Sequence, residues 1–156
     1  PMEAVNVRDR ICRKIEERRI QLYNSMKYKK PEQRDKQIIE SLAHTCVLLS
    51  EKAESAIIST ITHSGNTARR IAKYRPKVPI FAFTESQKVR RQLNLVWGVR
   101  SIRLRELFDT DKSVKIMEDY LKDNGQVKTG DRVVIATGMP TSQRGRTNMV
   151  KISIIE

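Results

Sequence analysis

Five short apolar runs, set between helical and turn segments, most constrain what this chain of 156 residues can fold into. They are Ala56–Thr60, Pro79–Thr84, Val99–Leu104, Arg132–Thr137 and Met149–Ile155. Each has the length of a buried strand and falls far short of the roughly 18 apolar residues of a membrane span. Val5, Val7, Ile11, Cys12 and Ile15 fall at helical spacing, which predicts an amphipathic helix over 4–19. The polar stretch from Tyr23 to Gln33, which contains Pro31, reads as a loop. A second helix carries Ile38, Ile39, Leu42, Cys46, Val47 and Leu49 on one side. Further helices are expected over Ala68–Tyr74, over Glu85–Leu93 with Thr84 as its N-cap, and over Asp111–Asn124. The last is capped by Thr110 or Asp111 and stopped by Gly125.

Strands alternating with helices argue an α/β fold whose parallel sheet is covered on both faces. The final strand follows the fourth without a helix, so it is expected to run antiparallel at an edge. The expected fold is a three-layer α/β/α sandwich around a five-stranded mixed sheet. The length fits a single domain over 1–156, with two helices within 4–50 and the sheet region over 55–156.

Charged residues near the N-terminus and the lack of an apolar segment there argue against a secretory signal. Cys12 and Cys46 lack metal-ligand spacing, and they read as reduced, buried thiols of a cytoplasmic protein. No metal site is expected, and no membrane partner. The net charge is +13, and it is uneven: residues 65–105 hold eleven basic residues and one acid, Glu85. Such clustering is an anion-attracting surface or a solvated face.

Ligands of parallel sheets bind beyond the carboxyl ends of the strands. The loop after the first strand, Thr62-His63-Ser64-Gly65-Asn66-Thr67, runs straight into a helix. Its hydroxyls and the free N–H groups of a helix start suit a phosphate, with Gly65 allowing close backbone approach. A plain Ser/Thr cap with a turn glycine is the alternative. The loop Gly138 to Asn148 begins at the end of the fourth strand and carries Arg144, Gly145, Arg146 and Thr147. Two arginines flanking a glycine suit phosphate recognition, and an ordinary long hairpin loop is the alternative. No glycine-rich dinucleotide fingerprint, nucleophile elbow or acid/base carboxylate pair is present. His44 reads as a packing histidine, and Trp97 as a core or interface residue.

The run Ser64-Gly65-Asn66-Thr67-Ala68-Arg69, followed by Lys73-Tyr74-Arg75-Pro76-Lys77-Val78-Pro79-Ile80, resembles the C-terminal domain of pyruvate kinase. Arg91 to Val99, Thr129-Gly130-Asp131, Gly145-x-Thr147-Asn148 and Pro1-x-Glu3-Ala4-Val5 resemble further blocks of that family. The resemblance implies an allosteric domain that binds a phosphorylated sugar or nucleotide and makes subunit contacts in a tetramer. By position, Thr62 to Thr67 would hold the effector phosphate, and the loop around Arg144 to Thr147 would close over it. His63 and Asn66 stand where the fructose-bisphosphate-sensitive animal enzymes carry basic residues, so the resemblance implies a monophosphate at least as readily. The family's magnesium, potassium and phosphoenolpyruvate sites belong to its catalytic barrel, so no cofactor and no catalysis are expected of this chain alone. Self-association is expected through helix 4–19 or strand 149–155, and the catalytic domain is a partner if the chain is part of a longer one.

A free-standing phosphometabolite-binding protein of the same fold is the second reading. A basic nucleic-acid-binding module is the third. It is disfavoured because Phe81 and Phe83 lie in an apolar strand instead of interleaving with basic residues.

Overall fold

The structure, a computed structural model, describes residues 2–25, 34–105, 109–139, 141 and 147–156. The elements are α1 (Met2–Ser25), α2 (Arg34–Lys52), β1 (Ile57–Ile61), α3 (Asn66–Lys73), β2 (Ile80–Thr84), α4 (Gln87–Leu93), β3 (Val99–Arg103), α5 (Thr110–Asp123), β4 (Arg132–Thr137) and β5 (Met149–Ile154). The sheet order is β3-β2-β1-β4-β5. The first four strands run parallel and β5 pairs antiparallel with β4, as the lack of a crossover helix between them requires.

Burial follows position in the sheet. Every residue of β1 and β2 is buried, because these strands are covered on both faces. The edges β3 and β5 are half exposed, which is how β3 accommodates Arg100 and Arg103. Alternate residues feed two cores. On one face Ile58, Ile80, Ala82 and Val134 pack against Ala43 and Cys46 of α2, Ile71 of α3 and Leu93 of α4. On the other, Ile57, Phe83, Val133 and Ile135 pack against Val114, Met117 and Leu121 of α5. Phe83 meets Tyr120 edge-on at 5.6 Å between centroids.

The chain reverses its direction across the sheet between β1 and β4. Right-handed crossovers step from β1 to β2 to β3 along one face, carrying α3 and α4. The return from β3 to β4 must then use the opposite face, where α5 lies. The loops leaving β1 and β4 therefore part to opposite sides and open a crevice.

Several boundaries differ from the sequence expectation. The N-cap of α4 is Ser86, whose side chain accepts from the Val89 N–H. Thr84 stays in β2, and its hydroxyl accepts from the Ser86 N–H at 3.3 Å. Asp109 caps α5 one residue before Thr110, accepting from the Lys112 N–H at 3.0 Å. Gly125 does follow the helix end, at φ 64°. The first helix runs on to Ser25 through the start of the expected loop, whose residues 26–33 lie outside the described ones.

Cys46 is buried, and burial pushes its thiol up to about 12. Cys12 is exposed, contrary to expectation, because Val5, Ile11 and Ile15 beside it on α1 are also left uncovered. Ile38 is 56% exposed, off the buried face of α2 that Ala43, Cys46 and Val47 form. His44 packs its ring against Tyr74. Trp97 is half-buried: Arg75 lies over its ring at 4.4 Å, and its indole N–H donates to Glu16 of α1.

Candidate functional site

A cavity of about 290 Å³ opens in the crevice between the β1 and β4 loops. Ile61, Thr62, His63, Ser64, Asn66 and Thr67 line one wall. Thr137, Gly138, Thr141 and Thr147 line the other, and Ile39 of α2 completes it. His63 is the only ionisable side chain on this lining among the described residues.

The first wall is shaped by a local turn. Thr62, 4% exposed, accepts the Gly65 N–H at 2.9 Å on its hydroxyl oxygen. That bond folds the chain back so that α3 starts at Asn66. Gly65 is the N-cap residue at φ 78°, with no side-chain cap hydrogen bond, and the first turn of α3 holds no acid. The positive end of this helix thus meets the cavity with no acidic side chain in its own first turn.

Two contacts tie the walls together. The hydroxyls of Thr67 and Thr147, both nearly buried, lie 2.5 Å apart. His63 Nε2 lies 3.2 Å from the Thr141 carbonyl oxygen, so that nitrogen carries the donated proton. The other ring nitrogen faces Glu85 at 4.0 Å. The root of the second loop is closed by Asn148, whose amide accepts from the Met139 N–H at 2.8 Å and donates to its carbonyl at 3.1 Å.

Behind the first wall lies Glu40 of α2, 5% exposed. Burial by itself raises its carboxyl, but hydrogen bonds from Lys73, Tyr74 and Arg70 outweigh that and hold it below the usual carboxylate range. A carboxyl lowered in the folded state stabilises fully above its unfolded value and loses that contribution as pH falls through the folded one. The stability gap between the parent and Glu40→Gln, read from urea midpoints, is therefore expected at pH 7. It should close as pH falls below about 4, the ordinary range of a glutamate. A gap that persists unchanged into acid would contradict the assignment.

The structure thus brings together six of the ten site residues expected from sequence: Thr62, His63, Ser64, Asn66, Thr67 and Thr147. Gly65 is not on the cavity lining; a Cβ there would meet Leu93 and Val89 of α4 at 3.0 and 3.1 Å. Arg144, Gly145 and Arg146 lie outside the described residues. Thr137, Thr141 and Ile39 were missed, since a lone threonine at a strand end carries no pattern. The basic run at 65–105 is partly used internally: Arg69 donates to the Ser64 carbonyl and Gln92, while Arg70 and Lys73 pair with Glu40.

The family described as pyruvate kinase, alpha/beta domain, matches residues 40–153. The chain belongs to that family. The pyruvate kinase of Clostridium acetobutylicum is 37% identical over 163 aligned positions, covering the whole chain and 33% of the relative. That of Geobacillus stearothermophilus is 41% identical over 116 positions, covering 74% of the chain and 19% of the relative. A structure of Cryptosporidium parvum pyruvate kinase in complex with ADP superposes with a TM-score of 0.72 at 29% identity, covering 83% of the chain and 25% of that structure. The chain therefore spans a third or less of the length of these pyruvate kinases, and corresponds to their C-terminal alpha/beta domain. The fold found here, with four parallel strands and an antiparallel fifth, is that of the pyruvate kinase alpha/beta domain. No helix among the described residues is long and apolar enough to cross a membrane.

Proposed function

We propose that the cavity binds a phosphorylated small molecule, a sugar phosphate or a nucleotide, and that this pyruvate kinase domain serves as an effector-binding regulatory unit. The observation that carries this reading is the uncapped, acid-free start of α3 opening into a cavity walled by five threonine side chains, Ser64 and Asn66. These groups supply hydrogen-bond donors at the positive end of a helix, which is what a phosphate requires. Phosphoryl transfer instead relies on metal ions bridging the phosphates. Among the described residues no group of three or more His, Cys, Asp or Glu is placed to hold one. The role proposed for this chain, which spans a third or less of its relatives' length, is binding, with the transfer step assigned to other parts of a full-length pyruvate kinase.

Calorimetric titration with sugar monophosphates, a sugar bisphosphate and nucleoside phosphates tests the reading. Saturable binding of at least one, displaced by inorganic phosphate, is expected. Absence of binding across the panel would overturn it.

The same domain is proposed to make subunit contacts. Edge strand β5 leaves Ile152 39% and Ile154 63% exposed, and α1 leaves Val5 63%, Ile11 53% and Ile15 51% exposed. A dimer favoured by salt is expected, since screening weakens repulsion between chains of net charge +13. Sedimentation showing only monomer at high concentration and moderate salt would contradict it.

A further inference from the structure

The buried carboxylate behind the cavity does more than join two helices. Glu40 follows the cavity-lining Ile39 in sequence, and its partners all come from α3 and its C-cap. Arg70 Nη1 donates at 2.5 Å, Lys73 Nζ at 2.8 Å and the Tyr74 hydroxyl at 2.7 Å. Arg70 also reaches the other way: its Nε donates to Asn66 Oδ1 at 3.2 Å. A guanidinium has donors only, so the oxygen end of the Asn66 amide is the end that meets it. What remains on Asn66, a residue that lines the cavity, is the NH2 group, with two donors and no acceptor.

We infer that Glu40, acting through Arg70, is the positioning residue that presents Asn66 to the ligand as a hydrogen-bond donor, and so selects an acceptor-rich anionic group at that wall. The inference rests on the phosphate reading above. Without Glu40, the Arg70 side chain loses its buried anchor. The Asn66 amide is then free to turn its oxygen toward the cavity, where it repels a phosphate. With Glu40 in place the guanidinium charge is compensated, and the group offered to the ligand is a neutral amide of fixed orientation.

Arg70→Lys separates this role from a purely structural one. Lysine keeps the charge that pairs with Glu40, but its single ammonium lacks the fork needed to hold Asn66 as well. The probes are ribose 5-phosphate, with inorganic phosphate as competitor. Arg70→Lys is expected to keep a urea midpoint near that of the parent while binding ribose 5-phosphate about tenfold more weakly, the loss of one hydrogen bond to a charged group. Asn66→Asp, which replaces the donor with a second oxygen, is expected to lose more than tenfold without loss of stability.

A ligand-free measurement accompanies the titrations. The Asn66 side-chain NH2 signals in nitrogen-15 spectra are expected to move in both Arg70→Lys and Glu40→Gln. If Thr67→Val weakens binding while Arg70→Lys and Glu40→Gln bind like the parent, the inference is overturned and the phosphate reading stands. If the parent binds neither probe, the phosphate reading falls for this ligand class and the donor-selection claim falls with it. The spectra then decide the coupling itself, which unmoved Asn66 signals would refute.

Discussion

Gly65→Val is expected to cost roughly 2–5 kcal/mol of folding stability, combining a left-handed backbone imposed on a branched residue with overpacking. Both causes are visible at this one residue. Its φ is 78°, and a Cβ would sit 3.0 Å from Leu93 Cδ2, 3.1 Å from Val89 Cγ1 and 3.2 Å from an Arg69 guanidinium nitrogen. Leu93 is fully buried, so it cannot swing away without opening the core beneath α4. Gly125→Val is the matched control. Gly125 has φ 64° but nothing within 4 Å of a Cβ, so its variant suffers the backbone cost alone. Denaturant midpoints of the two variants should differ by roughly 1–3 kcal/mol, the packing share. Equal losses would show that contact with α4 does not fix the glycine. The Gly65 variant should also bind phosphate esters poorly, because α3 can start at Asn66 only if the preceding turn closes.

Thr67→Val is expected to weaken binding of a phosphorylated ligand by roughly ten- to a hundredfold, since a hydrogen bond to a charged group is worth about 1.5–3 kcal/mol. The branched shape is kept, but a methyl replaces the hydroxyl that lies 2.5 Å from that of Thr147, so a urea midpoint accompanies the titration to separate lost binding from lost stability. Thr147→Val should have a similar effect. The two hydroxyls form one pair at 2.5 Å, so the double variant should bind more tightly than the sum of the single losses implies. Cys12→Ser, at an exposed position on α1, should bind like the parent. Strict additivity, or undiminished binding by Thr67→Val, would place the ligand elsewhere.

The central strands were legible in the sequence because β1, β2 and most of β4 are buried on both faces and so are written as continuous apolar runs. The helix starts were less so. Thr84-Glu85-Ser86 and Asp109-Thr110-Asp111 each offer competing caps, and only the backbone angle at Ser86 and Asp109 decides between them. The first wall of the cavity was legible because its chemistry is contiguous from Thr62 to Thr67. The second wall is made by residues seventy or more positions away, and Thr137 and Thr141 become part of a site only through the pairing of β1 with β4. Glu40 carried no signal for the same reason: its partners begin 30 positions later. The periodicity of α1 correctly gave a helix with an apolar face, but a periodic face does not say what covers it, and Cys12 followed that face into solvent.

The double grip of Asn148 on Met139 acts as one more rung on the β4–β5 ladder, made by a side chain in place of a backbone. A rung there fixes the spacing between the end of β4 and the start of β5, and so the distance between Thr137 and Thr147 on the second wall. The first wall is fastened in an unrelated way, through the hold of Glu40 on α3. The two walls are thus braced separately, one by a side-chain amide across a hairpin and the other by a buried carboxylate between helices.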